Sequence, residues 1–342
     1  MPRALVVRGL QIAVALGLLV LLWRVSDGSA ALGHLAAASP LWIAAALTTL
    51  TAQTVLSALR WRLTARQLGI VLDRRLALRE YYLAQIVNQA LPGGVLGDAG
   101  RAVRARGQAG LLASSQAVLF ERLAGQVALF VLFGVAVAGT LIVPGGFDWP
   151  GWLLPPVMLF LGGGVGLALV LRVGGPRLPL RAGLALRGLG AAFMRAVMAP
   201  EVRTRQTLLS LGTALCTVAS FALCAAAIGV VLPLATALVL IPLILFTMLI
   251  PVTVSGWGLR EGAAVALLPL AGASPAEALA ASVAFGIAFL VATLPGLLAV
   301  GFAAGSGART PGVREGAQEG VRQGLRQGVP HVAPADDRSA GP

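Results

Sequence analysis

The chain has 342 residues, of which 58% are hydrophobic and only 11% are charged, and its formal net charge is +13. Soluble domains carry about 25% charged residues, so a soluble globular protein is excluded. All 26 basic residues are Arg, against 13 acidic residues. We interpret the excess as the loop charge of a membrane protein rather than as a nucleic-acid-binding surface. Two Cys and two His predict no disulfide and no metal site, and we expect no cofactor.

Apolar windows of the length that crosses a bilayer, about 18–20 residues, recur along the chain. They predict an all-α polytopic transmembrane helical bundle of about 6–8 spans. The predicted spans are 9–23, 41–59, 120–143, 152–171, 207–232 and 279–304. The first resembles a signal peptide, but no clean cleavage site follows it, so we interpret it as a retained span. Two further apolar stretches, 81–97 and 234–271, are interrupted by Pro and Gly.

The distribution of Arg among the loops predicts the orientation of the spans. Residues 60–80 and 172–205 are rich in Arg and should face the cytoplasm, whereas 144–151 has a single charge and should face outward. A transmembrane domain is expected over 1–304, followed by a disordered cytoplasmic tail over 305–342. Both termini are therefore expected on the cytoplasmic side of a bacterial inner membrane.

The sides of the membrane assigned to the flanking loops also predict whether each of the two interrupted stretches crosses the bilayer. Segment 81–97 has cytoplasmic flanks on both sides, so it should enter the membrane and return without crossing. Segment 234–271 should begin and end outside. It is either a hairpin of two spans or a second re-entrant element that enters from the opposite face.

Both interrupted stretches contain an apolar residue, Pro, four residues, Gly, three residues and Arg. Non-helical backbone persists at membrane depth only where protein or a water-filled cavity covers it. Broken helices in opposed halves are typical of a transporter binding site, because freed amides and Gly admit a ligand and Arg binds phosphate in a bidentate manner. The candidate substrate-binding residues are Asn88, Pro92, Gly93, Gly94, Gly97, Asp98, Arg101, Glu121, Arg122, Pro251, Gly256, Gly258, Arg260 and Glu261.

Two Arg carry the expected phosphate contacts. Arg101 and Arg260 occupy the same position in the shared spacing, and each has an acid nearby in sequence, Asp98 and Glu261 respectively. The alternative for both is an Arg that anchors the end of a span by reaching the interface. Both interpretations remain open at this point.

A third charged pair, Glu121 and Arg122, stands at the start of a long apolar helix. Each charge buried at the centre of such a helix costs roughly 2.5–3.5 kcal/mol, so these residues usually face a bundle interior. Glu121 is expected to pair with an Arg of a broken segment or to bind a cationic headgroup. The alternative is that Glu121 and Arg122 mark the cytoplasmic membrane boundary. Asn88 is expected either to bind a headgroup or to cap the loop.

Two elements are expected at the cytoplasmic surface. Trp61 follows the second span within "LRWRLTARQLG" and should lie at headgroup level. Residues 180–198 form an amphipathic segment that should lie on the anionic leaflet, unless it is a plain connecting helix.

Three motifs, in order, are "NQALPGGVLGDAGRAVRA", "FERLAGQVALF" and "IPVTVSGWGLREGAAVALL". Together they resemble the signatures of the lysylphosphatidylglycerol synthase transmembrane-region family, also called the flippase-like domain family. The resemblance implies a helical bundle with re-entrant elements that handles lipids. It does not imply synthase activity, because 305–342 is far shorter than a catalytic domain of about 100 residues.

The leading hypothesis is a lipid flippase that moves a phospholipid or a lipid-linked headgroup between leaflets, without enzymatic activity. The expected partners are the bilayer and a lipid of phospholipid, glycolipid or hopanoid type, and a lipid-synthesis enzyme is a further candidate partner. One alternative is a membrane enzyme of lipid or glycolipid modification, for which Asp98, Glu121 and Glu261 are the available acids. Another is a scaffold of a lipid-synthesis complex.

Overall fold

The computed structural model describes residues 2–90, 94–143, 147–173, 180–250, 253 and 255–297. Within these ranges the chain forms α-helices and two 3₁₀ turns, Thr247–Leu249 and Leu268–Ala271, and no strand. The helices are α1 (Pro2–Val25), α2 (Gly28–Ala36), α3 (Pro40–Gln67), α4 (Arg74–Ala90), α5 (Leu96–Ile142), α6 (Leu154–Val173), α7 (Leu180–Val197), α8 (Arg203–Ala227), α9 (Leu234–Phe246), α10 (Leu259–Leu267) and α11 (Pro275–Thr293). The predicted all-α class is confirmed.

Four helices of the described part are long and apolar enough to cross a bilayer: α3, α5, α8, and the stretch Pro275–Leu297 that contains α11. The pair α1 and α2 adds a fifth if it is one span, although it bends by 91° at its break. α6 is a further apolar helix of 20 residues. The chain is therefore a multi-pass membrane protein, with a span count that roughly agrees with the prediction.

Helices α3 and α8 form a closely packed antiparallel pair. The amide N of Ser39 donates to the carbonyl O of Ala227 at 2.8 Å, which joins the start of α3 to the end of α8. At the other end, Nε2 of Gln206 donates to Oγ1 of Thr64 at 3.1 Å. Small residues are buried along both helices, among them Ala46, Ser57 and Ala58 on α3 and Ala214, Ser220 and Ala225 on α8. Such residues let two helix backbones approach closely in a membrane.

The first broken hairpin follows α3. Its entering arm is α4, which begins after Asp73, whose carboxylate accepts from the amide of Arg75 at 2.9 Å. This hydrogen bond lowers the pKa of the Asp73 carboxyl. The returning arm is the first part of α5, residues 96–109, because Gly110 has φ 81° and ψ 169° and breaks the helix there. The remainder of α5, residues 111–142, is the span.

The second broken hairpin follows α8. α9 enters, the helix breaks after the 3₁₀ turn that ends at Leu249, and α10 returns. The 13 residues of α9 and the nine of α10 are about 20 and 14 Å long at about 1.5 Å per residue, less than the bilayer core of about 30 Å. Of the two possibilities for 234–271, these short helices favour the re-entrant hairpin.

The two hairpins enter from opposite ends of the bundle, because each follows one member of the antiparallel pair α3 and α8. They meet at their breaks, where Oγ of Ser255 donates to the carbonyl O of Asn88 at 2.7 Å. The predicted inverted orientation of the two broken segments is confirmed. This meeting point is where the candidate site lies.

Two local predictions are wrong. Most of the predicted loop 60–80 is helical, since α3 continues to Gln67 and α4 begins at Arg74. Trp61 is 1% exposed and packs in a cluster with Ala65 and Ile70, and its position at headgroup level stays a prediction. The span expected over 120–143 begins earlier, at residue 111, after the break at Gly110. A helix continues as long as its backbone hydrogen bonds are made, whatever the hydropathy of its side chains. Charged helical turns at the end of a span therefore resemble a loop in a hydropathy profile.

The amphipathic segment 180–198 forms α7, as its periodicity predicts. Ala192 and Ala196 on its second half are buried in a cluster with Phe120 of α5, and the ring of Phe193 contacts that of Phe120 at a centroid distance of 5.4 Å. α7 is therefore docked on the bundle. Residues 298–342, which include the predicted tail, lie outside the described residues.

Candidate substrate site

A buried ion-pair network joins the first hairpin to α3 and to the span of α5. Its centre is Glu121, which is fully buried. One carboxylate oxygen accepts from Nη2 and Nε of Arg60, at 2.6 and 3.2 Å, and from the hydroxyl of Tyr81 at 3.3 Å. The other accepts from Nη2 of Arg101 at 2.9 Å. The expectation that Glu121 pairs with an Arg of a broken segment is confirmed.

Arg101 lies deep in this network. Its Nη2 is 2.9 Å from a carboxylate oxygen of Asp98, which confirms that expected pair. Its guanidinium lies over the rings of Trp61 and Tyr81, with the carbon 4.8 and 4.6 Å from their centroids. Desolvated cation–π contacts of this kind are worth about 2 kcal/mol or more. Arg101 therefore fastens the returning arm to α3 and α4.

The break itself is held by hydrogen bonds from both of its sides. The side-chain oxygen of Asn88 accepts from the amide N of Gly97 at 2.7 Å, and its Nδ2 donates to Asp98 at 3.2 Å. Asn88 therefore caps the loop, one of the two roles expected for it. Arg122 pairs with the same carboxylate oxygen of Asp98 and donates to the carbonyl O of Gly94 at 3.3 Å.

Two glycines are required by the geometry of this break. Gly94 has φ 59°, a backbone conformation that side chains disfavour. At Gly97 an added Cβ would lie 2.0 Å from the carbonyl oxygen of Ala84, so the two arms of the hairpin could not pack as they do. Pro92 and Gly93 lie outside the described residues.

The second break has a comparable arrangement around Arg260 and Glu261, both buried. The Arg260 guanidinium pairs with Glu261, and its Nε donates to Oγ of Ser282 at 3.0 Å. It lies over the rings of Trp257 and Phe285, with the carbon 4.9 and 5.3 Å from their centroids. The expected pair with Glu261 is confirmed.

The carboxylate of Glu261 also accepts from the amide N of Gly258 at 2.6 Å, and so closes the first turn of α10. Gly256 and Gly258 have φ of 80° and 88°, which favours glycine at both positions. Pro251 lies outside the described residues. Each break thus holds its Arg between an acid and two aromatic rings.

A cavity of about 310 Å³ lies where the two hairpins meet. Its polar lining residues are Gln53, Ser57, Arg60, Tyr81, Gln85, Asn88, Gln89, Glu121, Arg122, Gln126, Thr213, Thr217 and Ser255. Apolar lining residues include Leu129, Leu245, Met248, Leu249 and Phe289. The cavity therefore has a polar wall, mainly from α3, α4 and α5, and an apolar wall, mainly from the second hairpin and α11.

The predicted site residues divide into two groups around this cavity. Asn88, Gly94, Glu121 and Arg122 line it. The remaining described members, Gly97, Asp98, Arg101, Gly256, Gly258, Arg260 and Glu261, are absent from the lining and hold the two breaks in shape. Binding of a substrate by any of these residues stays a prediction.

The chain matches the family model of the lysylphosphatidylglycerol synthase TM region over residues 9–296. The chain belongs to this family. The resemblance predicted from the three motifs is thereby confirmed, and the match indicates a membrane function related to lipids. No curated protein and no solved structure matches the chain significantly.

Sequence reasoning missed several cavity residues of this family member, above all Arg60. It stands between an apolar span and an Arg-rich stretch, where it was interpreted as loop charge, yet it is 4% exposed and pairs with Glu121, 61 positions away. One available signal was Glu121 itself, because a buried carboxylate requires a cation. Gln53 and Gln85, polar residues within helices of the bundle, offered another signal.

Proposed function

We propose that the protein moves a phospholipid or a lipid-linked polar headgroup between the leaflets of the cytoplasmic membrane of a bacterium. Both termini face the cytoplasm, and no synthase chemistry takes part. The observation that carries the proposal is the cavity with one polar wall at the meeting point of two opposed re-entrant hairpins. Membership of a lipid-related membrane family supports it.

The cavity suits a headgroup that passes while its acyl chains remain in the bilayer. Arg122 lies at the cavity and is 44% exposed, and its neighbours Leu123 and Val127 on α5 are 42% and 49% exposed. In a membrane-spanning helix, exposed Leu and Val face lipid. The polar lining therefore borders the lipid-facing surface of α5, where a headgroup enters sideways.

Within this proposal the Arg residues have two roles. Arg122 and Arg60 line the cavity and contact the headgroup. Arg101 and Arg260 are positioning residues, because ion pairs and aromatic rings hold their guanidinium groups. Asp98 balances the charge of Arg101 and Arg122.

The test is leaflet exchange of labelled lipids by the purified full chain in liposomes, for wild type and Arg122→Gln. A hydrogen bond to a charged group contributes about 1.5–3 kcal/mol, so its loss should slow exchange roughly tenfold or more. Arg104→Gln is the matched control. Arg104 lies on the same helix, α5, but pairs with Glu80 and is absent from the cavity lining.

Exchange that slows in Arg122→Gln and persists in Arg104→Gln is the expected result. The proposal fails if folded wild-type protein exchanges no lipid from a panel of phospholipids and glycolipids. Size-exclusion profiles and melting temperatures establish that each variant is folded. A lipid-synthesis enzyme as partner stays a prediction.

A further inference from the structure

The carboxylates near the cavity are already engaged. Both oxygens of Glu121 accept from Arg, one from Arg60 and the other from Arg101. Both oxygens of Asp98 are paired as well, one with Arg101 and the other with Arg122. A cationic group entering the cavity would have to displace one of these guanidinium groups to reach a carboxylate.

The network carries an excess of positive charge. It contains the three guanidinium groups of Arg60, Arg101 and Arg122 and the two carboxylates of Asp98 and Glu121, which leaves one net positive charge. The other cavity-lining residues are uncharged. The electrostatic preference of the cavity is therefore for an anion.

An unsatisfied donor stands at the cavity in addition to this charge. Nη1 of Arg60 is buried and has no hydrogen-bond partner among the described residues, and Arg60 lines the cavity. Its guanidinium fits there because residue 125 is Gly: an added Cβ would lie 3.0 Å from Nη1. Buried polar groups normally have a partner, and an acceptor oxygen of a ligand would supply one here; Nε and Nη1 of Arg101, which does not line the cavity, also have none among the described residues.

The rest of the polar wall consists of amides and hydroxyls. Side-chain amides come from Gln53, Gln85, Asn88, Gln89 and Gln126. The side chains of Gln89 and Gln126 make no hydrogen bond with another described residue. An amide offers both a donor and an acceptor, which matches the hydroxyl groups of glycerol or of a sugar.

We infer that the cavity binds a lipid whose headgroup joins a phosphate to an uncharged, hydroxyl-bearing group, and that it rejects the same headgroup once it carries an ammonium. The phosphate lies between Arg122 and Arg60, and the hydroxyls face the Gln side chains. This inference rests on the proposed function and narrows its substrate. An aminoacylated phospholipid is the case that it disfavours.

The decisive comparison uses two lipids that differ in one group. Binding of dioleoylphosphatidylglycerol and of its lysyl ester is measured on the purified full chain in detergent, by ligand-induced thermal shift and by native mass spectrometry. Like charges placed together at a binding site are strongly unfavourable, so we expect the dissociation constant of the lysyl ester to be at least about tenfold higher. Equal or tighter binding of the lysyl ester overturns the inference.

Soluble glycerol 3-phosphate separates a lipid site from a site for a free anion. It carries the phosphate and the hydroxyls but no acyl chains for the apolar wall, so we expect it to bind much more weakly than the lipid. If it binds as tightly as dioleoylphosphatidylglycerol, the assignment to a lipid is wrong.

Variants then test the two halves of the headgroup. Gln126→Leu should weaken binding of dioleoylphosphatidylglycerol and leave dioleoylphosphatidic acid, which lacks the glycerol diol, unchanged. Arg122→Gln should weaken both, and Arg104→Gln neither. Gln126 is exposed, so its replacement does not threaten the fold. If Gln126→Leu and a second variant, Gln89→Leu, leave the preference between the two lipids unchanged, the amide assignment is wrong.

Leaflet exchange distinguishes failure of this inference from failure of the proposed function. Protein that prefers phosphatidylglycerol in binding but exchanges no lipid contradicts transport and supports the cavity assignment. Protein that exchanges the lysyl ester faster than phosphatidylglycerol supports transport and overturns the assignment made here.

Discussion

Replacement of Glu121 by Gln removes the negative charge at the centre of the buried network while keeping the shape of the side chain. In wild type this carboxylate compensates Arg60 and Arg101, which are 4% and 1% exposed. In Glu121→Gln, Asp98 is the one carboxylate left in the network, shared by Arg101 and Arg122. Arg60 keeps no carboxylate partner among the described residues.

The expected loss of stability follows from the burial of these groups. Removal of one member of a buried ion pair costs about 3–5 kcal/mol, because the other charge stays desolvated and unpaired. A destabilisation of 1 kcal/mol lowers the melting temperature of a protein of roughly this size by about 2–4 °C. Glu121→Gln should therefore melt about 6–20 °C below wild type.

Thermal unfolding of the purified chain in detergent measures this difference. Glu201→Gln is the matched control, since Glu201 is exposed, and it should melt within about 1 °C of wild type. In a double-mutant cycle with Arg101→Gln, the two losses should fall short of additivity by about 0.5–3 kcal/mol. A Glu121→Gln protein that melts within 2 °C of wild type would refute the argument that this pair is buried and mutually compensated.

Two further predictions concern the breaks. Gly97→Ala should abolish folded protein in size-exclusion chromatography, because its Cβ would meet the carbonyl oxygen of Ala84 at 2.0 Å, whereas Gly107→Ala, with nothing within 4 Å, should fold at least as well as wild type. Ser255→Ala removes the hydrogen bond to Asn88, which costs about 1 kcal/mol. It should lower the melting temperature by no more than about 4 °C and slow leaflet exchange; unchanged exchange would show that this link between the hairpins has no part in transport.

The positions of both breaks could be predicted from the sequence because the signals are local. Pro and Gly interrupt apolar runs, and each Arg has its acid within three residues, as in Asp98–Arg101 and Arg260–Glu261. The arrangement of hairpins in opposite directions followed from counting loop charges. Local spacing and composition are sufficient for such features.

The cavity lining could not be predicted in the same way, because its members come together from distant positions. Tyr81 reaches Glu121 across 40 positions and Arg60 reaches it across 61. Hydropathy treats an Arg as a sign of a loop, and so it ended the second span at residue 59, just before Arg60 and Trp61, both of which the bundle buries. Tertiary pairing decides whether such a charge is buried, and a single sequence does not report that pairing.

The two hairpins repeat the same local structure but contribute differently to the cavity. In each, an Arg lies between an acid and aromatic rings and holds the returning arm, so the shared spacing has an architectural role in both hairpins. Displacement of the first hairpin would break the ion pairs that tie it to α3 and α5. Among the described residues, one hydrogen bond, from Ser255 to Asn88, joins the break of the second hairpin to that of the first. The second hairpin is held instead by apolar packing, with Leu240, Ile241 and Ile244 buried in the main hydrophobic cluster, and by the hydrogen bond from Arg260 to Ser282 of α11.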